Sequence, residues 1–372
     1  MKKTLAALAV LGAFSGAAFA QNVQLYGIVD GGLRLTDSTV NNVDSTFGIQ
    51  SGQQSGSRFG LKGSETLGNG LKVVFQLENG FSLDDGQLGN DKRLFGREAR
   101  LGLEGGFGAV NIGRFGNLGS GNGTFSIIGG MASPFGTSFA DAGTQGTLLL
   151  NDRFDNSVVY VSPMFAGFQA SAMYSFNTDG TEAADTDKNT KYAGFGVTYT
   201  VGKLQTGLTY EQLENPSKKA DGTAISPALD DAKALKLAAN YDFGMVKPFA
   251  YYQRGEGGKL ASTNLYLSNG EALKSDAFSI GASAPIMGGT LMASYQWFKS
   301  DDFKNGAGVD TNYERQVFAV GYDYPFSKRT NFYGVASFSQ GDGAWDKDAA
   351  TVTDGILGTN RNVYEIGLRH KF

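Results

Sequence analysis

The feature of this chain that most restricts its fold is an alternation of period two, which begins at Asn22 and recurs to the last residue. From there the odd positions read Val23, Leu25, Gly27, Val29, Gly31, Leu33 and the even ones Gln24, Tyr26, Ile28, Asp30, Gly32, Arg34. Successive side chains of a strand point to opposite faces, so such a run is a strand with one apolar and one largely polar side. A second run sets Phe59 and Leu61 against Arg58, Lys62 and Ser64. After Leu67-Gly68-Asn69-Gly70 a third sets Leu71, Val73, Phe75 and Leu77 against Lys72, Gln76 and Glu78. Asn-Gly between two alternating runs is a strong hairpin signal.

Thirteen further strands read near 95–104, 109–115, 155–162, 168–176, 191–201, 204–213, 234–243, 246–254, 276–284, 290–299, 315–325, 331–339 and 362–372, which makes sixteen. An even number of antiparallel strands returns both chain ends to one side, as bacterial barrels require. The connections alternate as well. Short ones fall at 65–70, 105–108, 163–167, 202–203, 244–245, 286–289 and 326–330. Long ones fall near 36–55, 80–93, 116–152, 177–190, 214–232, 255–275, 300–313 and 340–361. Short turns at one rim and long loops at the other are the layout of an outer-membrane barrel. All seven prolines read in loops, turns or near strand ends, where no ladder hydrogen bond is lost.

A soluble sandwich also alternates, and three features speak against it. The polar faces carry Arg, Lys, Glu, Gln, Asn and Ser on strand after strand, which suits a wet lumen. Aromatic residues gather at strand ends, as in Tyr174 with Phe176, Tyr241 with Phe243, and Tyr322, Tyr324 and Phe326; this matches the interfacial girdles of membrane barrels. The last apolar strand ends on the final residue, with Tyr364, Ile366, Leu368 and Phe372 on one parity. Composition agrees. With 54 Gly among 372 residues, long helices are disfavoured, each interior Gly costing about 1 kcal/mol.

The start of the chain sets the compartment. Met1-Lys2-Lys3, an apolar run from Leu5 to Phe14 and Ala18-Phe19-Ala20 form a secretory signal peptide over 1–20, leaving 21–372 as one barrel domain. Removing Lys2 and Lys3 from 32 basic residues leaves 30 against 36 acidic ones, a formal charge of −6. That balance argues against nucleic acid as a partner, and the absence of Cys excludes disulfides and thiolate zinc sites.

Several segments resemble the general porins of the β-proteobacterial, neisserial type. They are Val23-Gln24-Leu25-Tyr26-Gly27-Ile28-Val29-Asp30, Gly56-Ser57-Arg58-Phe59-Gly60-Leu61-Lys62-Gly63-Ser64-Glu65 and Gly70-Leu71-Lys72-Val73-Val74-Phe75-Gln76-Leu77-Glu78. Later come Asn156-Ser157-Val158-Val159-Tyr160, Ser327-Lys328-Arg329-Thr330 and Gly367-Leu368-Arg369-His370-Lys371-Phe372. The resemblance implies an all-β, 16-stranded antiparallel transmembrane barrel with short periplasmic turns, long extracellular loops and an inward-folded third loop. It implies a homotrimer in the outer membrane, amid its lipids and lipopolysaccharide, that passes small hydrophilic solutes and ions. It also implies that the terminal Phe372 helps the barrel-assembly machinery recognise the chain.

The third loop, about 116–152, is far longer than the usual connection of about 4–6 residues. It holds the apolar stretch Thr124-Phe125-Ser126-Ile127-Ile128, unusual for a solvated loop. By resemblance, arginines on the wall face this loop, and the matching positions are Arg58, Arg97 and Arg153. Arg34, Lys62, Lys72, Arg100 and Arg114 add basic candidates. Counting places Arg58, Lys62, Lys72 and Arg100 on the pore parity, whereas Arg97 shares parity with Phe95, Ala99 and Leu101. Either a bulge or a loop start re-aims Arg97, or it lies above the bilayer and does not match the family's position. The family opposes its arginines with acids on the third loop, but 116–151 holds only Asp141. Fixed charge of one sign in a narrow bore concentrates counter-ions, so an anion-leaning pore is expected.

The remaining acids gather in outer loops, Asp179, Glu182, Asp185 and Asp187 in one and Asp342, Asp346, Asp348 and Asp354 in another. They are expected to form a hydrated rim able to hold divalent cations that bridge lipopolysaccharide. Gly27 and Gly31 suit packing of the first strand against a neighbouring subunit, and Asp84, Asp85 and Asp91 mark a second loop that could latch onto it.

An enzyme is disfavoured. The single imidazole, His370, sits two residues from the end, no G-x-S-x-G occurs, and Asp185-Thr186-Asp187-Lys188-Asn189 lacks the Gly and Glu of a calcium loop. No cofactor or metal site is expected. The alternatives are a substrate-specific sugar or organic-acid channel, which needs an aromatic track that two Trp residues do not supply, and an adhesin or receptor barrel.

Overall fold

The computed structural model describes residues 23–39, 44–144, 147–180, 183–219, 221–224, 230–258, 273–304, 310–343 and 360–372. The expected leader 1–20, Glu182 and the outer-loop acids Asp346, Asp348 and Asp354 lie outside them.

Sixteen antiparallel staves form one sheet that closes on itself. The first, β1, is Gln24–Ser38. The second, β2, comes in two segments, Thr46–Ser51 and Arg58–Gly68, both paired with β1. There follow β3 (Leu71–Gly80), β4 (Glu98–Gly105), β5 (Gly108–Gly116), β6 (Arg153–Val161) and β7 (Phe168–Ser175). Next are β8 (Lys191–Val201), β9 (Leu204–Glu214), β10 (Ala232–Tyr241), β11 (Lys247–Glu256) and β12 (Lys274–Ile286). The last four are β13 (Gly289–Ser300), β14 (Tyr313–Pro325), β15 (Thr330–Gly343) and β16 (Arg361–Lys371). Each stave pairs with the next, and β16 returns to β1 in an unbroken register from Lys371 opposite Ile28 to Arg361 opposite Ser38. Closure matters because an open edge would leave backbone N–H and C=O groups unpaired in hydrocarbon.

The two faces of the wall follow the parity of the sequence. Leu25, Phe47, Ile49, Ile112, Ile280 and Ile366 are exposed on the outside, while Asp30, Asn111, Lys236, Gln253 and Glu365 are buried within. A soluble protein cannot leave so continuous an apolar surface uncovered, whereas lipid covers it without cost. The aromatic pairs named above line the ends of the staves. Tyr174 and Phe176 lie 5.0 Å apart at the long-loop rim, and Tyr241 and Phe243 4.5 Å apart at the short-turn rim.

The third connection folds into the barrel, and three apolar clusters hold it there. In the first, Leu118, Ile127, Ile128, Ala132 and Leu148 of the loop meet Val159, Met173, Tyr192, Ala238 and Tyr251 of the wall. In the second, Leu149 and Leu150 meet Ala232, Ala234, Ala277 and Phe298. In the third, Phe135, Phe139 and Ala142 meet Met292, Ala319, Tyr333 and Val335. This is why the loop carries an apolar stretch: it packs a small core inside the bore.

Two expectations need correction. The connection read as 36–55 is shorter than that, because strand pairing resumes at Thr46; its last residues, 52–55, belong with 56–57 to a bulge within β2. The sequence Gly52-Gln53-Gln54-Ser55-Gly56-Ser57 reads as a loop because its residues are polar and small, as inward-facing residues of a wet lumen also are. Gly27 and Gly31, taken as room for a neighbour, are occupied by this chain itself: the ring of Phe372 lies over Gly27 and Leu83 of the second loop over Gly31.

Candidate functional site

Residues of the third loop and of the β2 bulge together line a cavity of about 440 Å³ inside the barrel. Five guanidiniums line it, those of Arg34, Arg58, Arg97, Arg153 and Arg361, and one carboxylate, Asp141. Each is set by its element. Arg34 and Arg58 lie on the polar parity of β1 and β2. Arg97 precedes β4, whose first residue is Glu98, so strand alternation does not govern it; its backbone N–H bonds Glu78 O at 3.3 Å and its side chain turns inward. Arg153 opens β6 opposite Gly116, where the two roots of the third loop meet.

The charges are partly paired. Glu78 lies 2.8 Å from Arg97 Nε and 3.6 Å from Arg58 Nη1. Glu365 accepts from Arg34 Nη2 at 2.6 Å and Nε at 2.9 Å. Asp141 accepts from Arg361 Nε and Nη2 at 2.6 and 2.8 Å and also pairs with Arg315. The Arg153 guanidinium donates to Asn122 Oδ1 at 2.9 Å and forms no ion pair with a carboxylate among the described residues. Among the described residues, the guanidiniums that line the cavity and those in ion pairs with them or with Asp141 thus number six (Arg34, Arg58, Arg97, Arg153, Arg315, Arg361), against the three carboxylates of those pairs (Glu78, Asp141, Glu365). Burial alone would raise the Asp141 carboxyl; Arg315 and Arg361 outweigh it and hold the group down at about 2.

Four of the sequence candidates lie elsewhere. Arg100 is inside the barrel but nearer the short turns. It bonds Glu98 and Asn111 at 2.7 Å each, with Phe125 of the third loop 5.4 Å from its guanidinium. Lys62 lies 5.0 Å from the Tyr26 ring centre, and Lys72 pairs with Glu104 at 2.8 Å beside the first turn. Arg114 is on the outer wall. It shares parity with the exposed Val110 and Ile112 and bonds Asp155 at 2.7 Å, a carboxylate that Arg93 also holds. Its nearness in sequence to the other arginines does not bring it to the constriction, since Asn111 and Phe115 are the inward residues of β5.

Sequence reasoning missed Arg315 and Arg361, Glu78 and Glu365, and the buried pair of Glu211 with Lys236. Counting inward from the buried Val317 and Ala319 would have turned Arg315 into the lumen. In the pair, Lys236 Nζ sits 2.8 Å from Glu211 Oε2. Glu211 Oε1 accepts from Asn117 Nδ2 at 2.6 Å, Gly119 N–H at 3.0 Å and Tyr192 O–H at 2.6 Å. Lys236 also donates to Gly119 O at 3.0 Å. One fully buried ion pair therefore ties the root of the third loop to β9 and β10. Among the outer acids, Asp185 and Asp187 are bridged by Lys218 at 3.3 and 2.8 Å.

Sixteen staves sealed around a constricted, polar bore, with lipid-facing residues outside, define a membrane diffusion channel. The chain belongs to the Gram-negative porin family, which it matches over residues 6–344. It is 34% identical to an outer membrane porin protein of Bordetella pertussis and 30% identical to the major outer membrane protein P.IB of Neisseria meningitidis serogroup A, with both chains of each pair covered end to end. Among solved structures, the anion-selective porin of Comamonas acidovorans superposes with a TM-score of 0.72 at 26% identity, covering 94% of this chain and 99% of that one. The protein is an outer-membrane porin through which small hydrophilic solutes and ions diffuse.

Proposed function

We propose that this porin favours anions and that Arg58, Arg97 and Arg153, with Arg34 and Arg361 beside them, set the preference. The observation that carries the reading is the excess of guanidiniums over carboxylates around one cavity, above all Arg153 without an acidic partner among the described residues. In a bore walled by low-dielectric protein, an uncompensated positive charge lowers the entry barrier for anions and raises it for cations. The formal −6 of the mature chain does not oppose this, because ions in the constriction respond to charges within about a Debye length, about 8 Å at physiological salt. The similarity to a porin described as anion-selective supports the same reading.

Lys62, Lys72 and Arg100 belong to the route toward the short-turn side rather than to the narrowest point, and Arg114 to the outer wall. Family membership supports a barrel that acts by conduction. Family membership supports a homotrimer surrounded by lipopolysaccharide, cleavage of residues 1–20 on export, and recognition of the Phe372-ended strand by the assembly machinery.

The test is the permeability ratio of chloride to potassium in charge variants. Arg153→Ala and Arg58→Ala are expected to bring it toward unity, while Arg114→Ala leaves it unchanged. A ratio insensitive to Arg153 and Arg58 would remove the constriction from the account.

A further inference from the structure

Between the two segments of β2, six residues, Gly52 to Ser57, face only Val29 and Asp30 of β1, because pairing stops at Gly31–Ser51 and resumes at Ile28–Arg58. A regular ladder would place two residues there, so four are extra, and they turn into the lumen. Gln54 bonds Asp323 on β14 and accepts from Asn331 Nδ2 on β15 at 2.7 Å. Ser55 Oγ accepts from Arg369 Nη1 on β16 at 2.9 Å. Gln53 Oε1 accepts from Tyr333 O–H at 3.0 Å, and Gln53 O accepts the Phe139 N–H of the third loop at 2.7 Å. The bulge thus crosses the inner face of three staves and receives the far end of the third loop.

One carboxylate sits at its centre. Asp30, fully buried, accepts the backbone N–H groups of Gln54 at 3.0 Å and Ser55 at 2.6 Å through Oδ2, and Tyr333 O–H at 2.6 Å through Oδ1. Its own backbone N–H and C=O are both bonded to Ser57 Oγ, at 3.1 and 2.9 Å. Two of the constriction arginines rest on the same segment. Arg58 Nε donates to Gly56 O at 2.9 Å, and Arg97 lies so close over Gly56 that a Cβ there would stand 2.8 Å from Nη1.

We infer that the Gly52–Ser57 bulge is a second constriction element opposed to the third loop. Asp30 is the positioning residue that holds it, and through it Arg58 and Arg97, in the lumen. The selectivity part of this rests on the anion preference proposed above; the narrowing does not. Asp30 contacts the bulge and not the solute path, so its effect on permeation is indirect. That gives it a sign that separates it from a plain charge effect. Counting charges alone, removing a carboxylate makes the pore more positive and raises anion preference. Losing the anchor instead frees the bulge and lets the two arginines leave the bore, which lowers it.

The experiment is planar-bilayer recording of the full-length porin in potassium chloride, with folding of each variant checked by its heat-modifiable gel mobility. For Asp30→Ala the chloride-to-potassium permeability ratio is expected to fall by at least about twofold, with Asp30→Asn restoring most of it, since the amide keeps an oxygen for the two N–H groups. Gln54→Ala, which keeps the Asp30 anchor but removes a side chain lining the cavity, is expected to raise single-channel conductance. An unchanged or higher ratio in folded Asp30→Ala would overturn the positioning role. Unchanged conductance in Gln54→Ala would overturn the second constriction, and this variant decides that point even if Asp30→Ala does not fold. A wild-type channel without anion preference would count against the proposed function, leaving the conductance result to judge the bulge.

Discussion

Asp141 in the third loop and Arg361 on the last stave, 220 residues apart in the chain, are joined by two hydrogen bonds of 2.6 and 2.8 Å between a carboxylate and a guanidinium. Arg315 reaches the same carboxylate from β14. The loop is therefore fastened to the far wall by its only acid between residues 116 and 151. With the carboxyl held at about 2, against an ordinary value near 3.9, the fastening contributes about 2.6 kcal/mol. A depressed carboxyl stabilises above its unfolded value and stops doing so as pH falls through its folded one.

Single-channel current should accordingly be quiet at neutral pH and grow noisy as pH drops from about 4 to about 2, the window set by those two values. Asp141→Asn should show that noise at neutral pH. Steady currents from the variant would separate loop motion from this ion pair.

The buried pair under the loop root predicts a non-additive pattern. Glu211→Ala strands the Lys236 ammonium in a site with no solvent access and should cost about 3–5 kcal/mol. Replacing both residues by apolar ones of similar volume should recover much of that loss. Thermal unfolding in detergent reads both variants. Equal destabilisation by the single and double replacements would show that the pair itself is not the fastening.

At the seam, Phe372 and Gly27 exchange both backbone hydrogen bonds, at 3.0 and 3.1 Å. Phe372→Ala keeps them, so refolding into detergent should be nearly normal while assembly into the outer membrane of cells falls. Gly27→Val should fail in both settings, because a Cβ there meets the Phe372 ring and stands 2.8 Å from Arg58 O. Normal membrane assembly of Phe372→Ala would remove the terminal ring from the recognition signal.

These outcomes also mark what the sequence made legible. The sixteen staves were visible because hydrocarbon and water impose opposite demands on alternate residues, and that demand is written at every strand position. The bulge was not, since Gly52-Gln53-Gln54-Ser55-Gly56-Ser57 is polar whether it hangs in solvent or lines a lumen. Arg97 escaped parity counting because it stands just before its strand, whereas Arg114 obeyed parity and was misplaced by proximity in sequence to the others. Arg315 and Arg361 come from the last staves and meet the first ones only when the cylinder closes, a contact that no local pattern announces.

Anion preference is tested most directly by the sign of the zero-current potential across a bilayer holding the purified porin between concentrated and dilute potassium chloride. The potential is expected to be negative on the dilute side, chloride having crossed ahead of potassium. A potential positive on the dilute side would contradict it.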